Sequence, residues 1–177
     1  MPGGGSVAAL AGALAASLGE MVVGFSLSKK ELEEFQPQLR DLLEKFRTEH
    51  LELQSAIQKD SDSYAAVESV LKTPKASDEE KQLRHAQMQR ALQTAALTPI
   101  EVAEKSAALL QLFRQLTPIS NPNLKSDLET GIAMSHAAIR AALANVAINL
   151  NSIKDETFSA ALHRRVQSVE QIVAALS

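Results

Sequence analysis

Three groups of residues in this sequence have the types and spacing to do chemistry. The first is Pro2-Gly3-Gly4-Gly5-Ser6, a glycine-rich run directly ahead of an apolar, alanine-rich stretch. Free backbone N–H groups at a helix start, backed by the helix dipole, suit an anion or a carbonyl oxygen. The same run also works as a plain cap, with Ser6 as the N-cap residue. No strand precedes it and no Gly-Lys-Ser/Thr follows, which excludes a dinucleotide-binding turn and a Walker loop. The second group is Asp60, which falls on the apolar seam of a long helix. A carboxylate in such a place is costly unless paired, and such groups gather at functional sites. Two alternatives are a seam that opens to water at Asp60 and a pairing with His50 or a lysine. The third group is Asn121-Pro122-Asn123 followed by Ser126-Asp127. It offers amide and carboxylate groups at a helix mouth, although turn and cap chemistry accounts for the same residues.

Other candidates carry less. Asn145 and Asn149 lie four apart on one helix face, the spacing of a structural hydrogen-bond pair. The four histidines show no ligand spacing, so no metal site is expected. Lys29-Lys30 reads as a solvated helix end. The absence of Cys excludes disulfides and thiolate metal sites and is compatible with the cytoplasm. A net charge of −3 and an aromatic content of 3% give nucleic acid neither a basic face nor a stacking platform. Residues 7–19 are apolar but lack a basic flank and are too short to span a bilayer before Glu20, so they read as a buried helix, with no membrane partner.

The elements that must position these groups are helices. Ala and Leu dominate the apolar residues, and seven Gly and six Pro over 177 residues allow few turns. In the first helix Gly5, Ala9, Gly12, Ala16 and Gly19 form a small-residue stripe, which predicts tight packing against another helix, within the chain or from a second subunit. Val7, Leu10, Leu14, Leu18, Met21 and Phe25 form a second stripe. Pro37 opens the next helix, whose seam runs Leu39, Leu43, Phe46, His50, Leu53, Ile57, Asp60, Tyr64, Val67, Leu71 in alternating steps of four and three. Ser77 or Asp78 caps a third helix, which Pro99 should kink. Ser126 or Asp127 caps a fourth, and a fifth runs from about Asp155 to Leu176. The expected architecture is all-α, a single domain over residues 1–177, an elongated dimeric bundle of five or six long antiparallel helices.

Several of these segments together resemble the formiminotetrahydrofolate cyclodeaminase and methenyltetrahydrofolate cyclohydrolase family. Pro2-Gly3-Gly4-Gly5-Ser6-Val7-Ala8-Ala9-Leu10-Ala11-Gly12 resembles its opening signature. Asp60-Ser61-Asp62-Ser63-Tyr64, Lys72-Thr73-Pro74-Lys75, Pro99-Ile100-Glu101-Val102-Ala103, Asn121-Pro122-Asn123-Leu124-Lys125-Ser126-Asp127 and Asn145-Val146-Ala147-Ile148-Asn149-Leu150 follow in family order. Relatives carry a short helix and a Thr ahead of the first Pro, whereas this sequence opens Met1-Pro2, which leaves open a late start or a lost capping helix. The resemblance implies an all-helical homodimer that binds folate near the subunit interface and needs no cofactor beyond its tetrahydrofolate substrate. One branch closes 5-formiminotetrahydrofolate to the 5,10-methenyl form with loss of ammonia; the other hydrolyses the methenyl form to 10-formyltetrahydrofolate. It implies Asp127 and Asp60 as catalytic carboxylates. Gly3, Gly4, Gly5, Ser6, Asp62, Asn121 and Asn123 are then substrate-binding, and Lys29 or Lys30 meets the folate tail. The competing class is a non-catalytic helical dimerisation module with the same fold.

Overall fold

The computed structural model describes residues 3–176, so the opening Met1-Pro2 lies outside it. Five α-helices carry the chain: α1 (Gly4–Leu27), α2 (Gln36–Leu71), α3 (Asp78–Leu116), α4 (Lys125–Leu150) and α5 (Glu156–Leu176). Short 3-10 turns join α1 to α2 and α3 to α4, and no strand is present among the described residues. Helix starts follow local chemistry. Ser77 and Glu80 form a reciprocal capping box at α3, Pro37 sits in the first turn of α2, and Asp155 Oδ1 accepts the Phe158 N–H at 2.9 Å where α5 begins. Two expected caps are corrected. α1 starts at Gly4 with Gly3 as N-cap, one turn before Ser6. α4 starts at Lys125 with Leu124 as N-cap, so Ser126 and Asp127 lie inside its first turn.

Short connections make α1 to α4 an up-down series. Cross-helix bonds fix the directions: Ser6 meets Asp60 and Glu20 meets His50 between α1 and α2, while Ser26 meets Asn121 at the start of the α4 segment. The antiparallel expectation holds for these four. α5 continues the alternation: it packs on α3 and runs parallel to it, with Glu104 bound to Arg165 and Arg114 bound to the Ala175 carbonyl. The small-residue stripe of α1 is wholly buried inside the chain. A Cβ at Gly19 would lie 2.3 Å from the ring of Phe46, and one at Gly131 of α4 would lie 2.4 Å from the ring of Phe113. Those two rings pack with centroids 5.0 Å apart and tilted by 59°. Each glycine therefore makes room for a phenylalanine from the facing helix, and four helices close around one aromatic pair.

The second stripe has the opposite fate. Val7, Leu10, Leu14 and Phe25 are 46–60% exposed, an apolar face along α1 that no described residue covers. The first helix is thus buried on one side only, which corrects the expectation of a buried helix. By length and composition alone, α1 and the segment Pro122–Leu150 are both long enough to cross a membrane, and half of the α1 window is buried within the bundle. α3 runs as one helix from Asp78 to Leu116 with Pro99 inside it. Beyond Asp60 on α2 and before Ala96 on α3 no residue is buried, so these ends project as a hairpin past the start of α1. At the angle where α1 begins and the hairpin continues, the N-terminus of α1 faces a space walled by α2, α3 and α4.

Candidate active site

Four of the α1 amides begin without a helical acceptor, as in any α-helix. The first intrahelical bond is that of the Val7 N–H to the Gly3 carbonyl, at 3.1 Å. The Ser6 N–H is taken by Asp60 Oδ2 from α2, at 2.7 Å, and the Ser6 hydroxyl donates to the same oxygen at 2.8 Å. Asp60 therefore caps α1 from a different helix, and the positive end of the helix faces its charge. That explains why a carboxylate occupies an otherwise apolar seam: neither His50 nor a lysine pairs with it. His50 Nδ1 is instead 2.6 Å from Glu20 Oε1. The close approach also explains Gly5, where a Cβ would lie 2.1 Å from Asp60 Oδ1. At Gly4 a Cβ would lie 2.8 Å from Asn145 Nδ2, whereas at Gly3 nothing lies within 4 Å.

A cavity of about 290 Å³ opens at this point, lined by Gly3, Gly4, Gly5, Asp60, Asn145 and Asn149 together with Tyr64 and the apolar Val67, Leu92 and Ile148. The amides of Gly4 and Gly5 have no acceptor among the described residues and, by helix geometry, point toward the N-terminal side where the cavity lies. On the α4 wall, Asn145 Nδ2 donates to the Ala141 carbonyl at 2.8 Å. Asn149 Nδ2 donates to the Ala95 carbonyl at 3.1 Å. Ala95 is four residues before Pro99, so its carbonyl is the one that the missing proline N–H leaves without a helical donor. Both carboxamides give an N–H to a carbonyl, and neither oxygen receives a donor among the described residues. One cavity thus joins one carboxylate, two acceptor oxygens, two free amide donors and apolar walls suited to a flat ring. Such a set can hold a polar heteroaromatic ligand and stabilise positive charge developing beside Asp60.

Of the residues singled out in the sequence, the structure gathers Gly3, Gly4, Gly5, Ser6 and Asp60. Asp62 is exposed and accepts from Gln58 Nε2 at 2.8 Å, away from the cavity. The remaining ones sit at the other end of α1, a helix of 24 residues and so about 36 Å long. There the Asn121 N–H donates to Ser26 Oγ at 2.8 Å, and its Oδ1 accepts the Asn123 N–H at 3.1 Å. Lys29 and Lys30 follow α1 immediately, and Asp127 is half-buried in the first turn of α4. Within one chain these residues do not meet Asp60. Conversely Asn145 and Asn149 do not pair with each other; they belong to the cavity, together with Tyr64. Larger clefts lie elsewhere, one of about 650 Å³ between α2 and α3 lined by Glu49, Glu52, Glu101, Glu104 and Lys105. There burial pushes the Glu49 carboxyl above the usual range against the pull of Lys105, and no helix N-terminus reaches it. Among the described residues no group of His, Asp and Glu is arranged to hold a metal ion.

Residues 1–168 match the sequence model of the formiminotransferase-cyclodeaminase family. The chain belongs to this family. Its similarity to the formimidoyltransferase-cyclodeaminase of Gallus gallus is 37% identity over 157 residues, which is 89% of this chain and 29% of that protein. The Mus musculus protein of the same name is 31% identical over 170 residues, 96% of this chain and 31% of that protein. The chain thus spans about three-tenths of these relatives. It covers far more of the methenyltetrahydrofolate cyclohydrolase of Methylorubrum extorquens, being 31% identical over 173 residues, 98% of this chain and 82% of that protein. The fold matches the crystal structure of formiminotetrahydrofolate cyclodeaminase from Thermotoga maritima with a TM-score of 0.87 at 30% identity, covering 99% of this chain and 83% of that one. The chain thus resembles proteins named for either of two reactions.

Proposed function

We propose that this chain is a folate one-carbon enzyme. It acts either on 5-formiminotetrahydrofolate, closing the ring with loss of ammonia, or on 5,10-methenyltetrahydrofolate, opening it with water to the 10-formyl form. The observation that supports this most is the Asp60 carboxylate, held by Ser6 at the glycine-rich start of α1 inside a cavity with free amide donors and acceptor oxygens. In the first reaction N10 attacks the formimino carbon and the C–NH2 bond breaks, so the leaving nitrogen must gain protons. In the second, water adds to the methenyl carbon, the bond from carbon to N5 breaks, and the added oxygen gives up both its protons, one of them to N5. The cationic carbon between N5 and N10 is formed in the first reaction and attacked in the second. A carboxylate beside that carbon stabilises the charge and relays the proton. The pterin lies on the apolar wall, and its polar edge meets the Gly4 and Gly5 amides and the two carboxamides. The substrate is the only small molecule this chemistry requires.

The cavity sits at the lower limit of the roughly 300–1,000 Å³ usual for ligand pockets, so a whole folate would extend beyond it. The uncovered apolar face of α1 supports a homodimer in which a second copy covers Val7, Leu10, Leu14 and Phe25. If the two α1 helices cross antiparallel about a two-fold axis, the C-terminal end of α1 in one subunit lies beside the glycine-rich start of the other. Asp127, Asn121, Asn123 and the Lys29-Lys30 pair would then complete the site from across the interface, with the lysines toward the glutamate tail. The test is a binding titration with 5-formyltetrahydrofolate, a stable relative of both substrates. It should bind at micromolar concentration and raise the melting temperature. Absence of binding to a folded dimer would refute the folate reading, and a monomer at micromolar concentration in light scattering would refute the shared site.

A further inference from the structure

Pro99 lies in the interior of α3 and is buried, a position where proline is the residue least suited to a helix. Its ring nitrogen carries no hydrogen, so the Ala95 carbonyl has no helical donor. Asn149 Nδ2, from α4, donates to that carbonyl at 3.1 Å. A carbonyl only accepts, so this bond decides which way the carboxamide faces: the NH2 group toward α3, the oxygen away from it. Ala95 and Asn149 both line the cavity that holds Asp60, and Asn149 Oδ1 receives no donor from the described chain. We infer that Pro99 is a positioning residue for this cavity: by withholding an N–H from Ala95 it reserves that carbonyl for Asn149, whose oxygen is then a fixed acceptor for a ligand N–H. With any other residue at position 99, a backbone N–H would compete for the Ala95 carbonyl, and the Asn149 carboxamide would be free to turn. The nature of the ligand rests on the proposed function, since a tetrahydropterin carries N–H donors along its pyrimidine edge. A ligand presenting only acceptors there is disfavoured.

The experiment compares wild type, Pro99→Ala, Asn149→Ala and the double variant by three readouts. The first is solvent exchange of the Asn149 side-chain NH2, followed by NMR on the 15N-labelled protein. In wild type it should be protected, and in Pro99→Ala it should exchange like a solvated amide. The second is affinity for 5-formyltetrahydrofolate, which should weaken about tenfold in either single variant, the scale of one oriented hydrogen bond. In the double variant it should weaken no further than in Asn149→Ala, because both act through one side chain. The third is the melting temperature, which should stay level or rise in Pro99→Ala as a helix-breaking residue is removed; a simple packing defect would lower it. Continued protection of the NH2 group in Pro99→Ala would overturn the role of Pro99. Release of the NH2 group with unchanged affinity would overturn the role of the Asn149 oxygen. Failure of wild type to bind the folate would overturn the proposed function and the pterin assignment with it, while the exchange readout would still decide whether Pro99 holds Asn149.

Discussion

Asp60→Asn should lower turnover about 100-fold or more, the usual scale for removing an electrostatic group that acts on the transition state. The substitution keeps the shape of the side chain, and its amide oxygen can still accept from Ser6, so the cap on α1 is weakened and not abolished. The stability cost should stay near 1 kcal/mol, as for other lost caps. Affinity for 5-formyltetrahydrofolate should change far less than turnover, because the Gly4 and Gly5 amides and the two carboxamides remain in place. That division between binding and rate separates loss of chemistry from loss of the site. Near-wild-type turnover in Asp60→Asn would remove Asp60 from the mechanism and leave it only as the cap that Ser6 binds.

The second large effect is one of restoration. Asp127→Asn should also be nearly inactive if Asp127 reaches the reacting carbon from across the interface. Its own chain places it at the opposite end of α1 from the cavity, so it cannot serve the Asp60 of the same subunit. Mixing the two inactive variants as refolded or co-expressed dimers should then restore about a quarter of wild-type turnover. Half of the dimers in an equal mixture are mixed, and in each of these one of the two isologous sites carries both native carboxylates. No restoration, with both single variants inactive, would mean that the two residues do not share a site. Full activity of Asp127→Asn alone would remove Asp127 from the chemistry.

Much of this was legible in the sequence because period and punctuation are local. The α2 seam, a cap at Ser77 or Asp78 and the glycine stripe of α1 each follow from spacing that a helix imposes on itself. The site was legible where an anomaly marked it: a carboxylate on an apolar seam, and glycines where the Asp60 carboxylate and the Asn145 side chain approach the backbone. What was hidden depended on which ends of helices meet. Asn145 and Asn149 read as a structural pair because the spacing of four shows a shared face, not where that face leads. The up-down order contained the missing signal. In an antiparallel series the start of α1 lies with the end of α4, so the asparagines near residue 150 had to share an end with the glycine run, and the Asn121 turn had to lie at the far end. Pro99 hid its partner in the same way. Its missing N–H was expected to kink α3, but spacing within α3 could not show that a side chain from the next helix satisfies the Ala95 carbonyl while the helix continues.

Turnover is the most direct test of a folate-converting role. Purified wild-type protein should be given 5-formiminotetrahydrofolate and 5,10-methenyltetrahydrofolate in separate reactions, with the methenyl chromophore followed at its absorbance band. The expected result is enzyme-dependent appearance of the band from the first substrate, or its accelerated loss from the second, each reduced about 100-fold or more by Asp60→Asn. A folded, dimeric wild-type protein that changes neither rate above the uncatalysed background would contradict it and favour a helical dimerisation module that keeps the family fold without the chemistry.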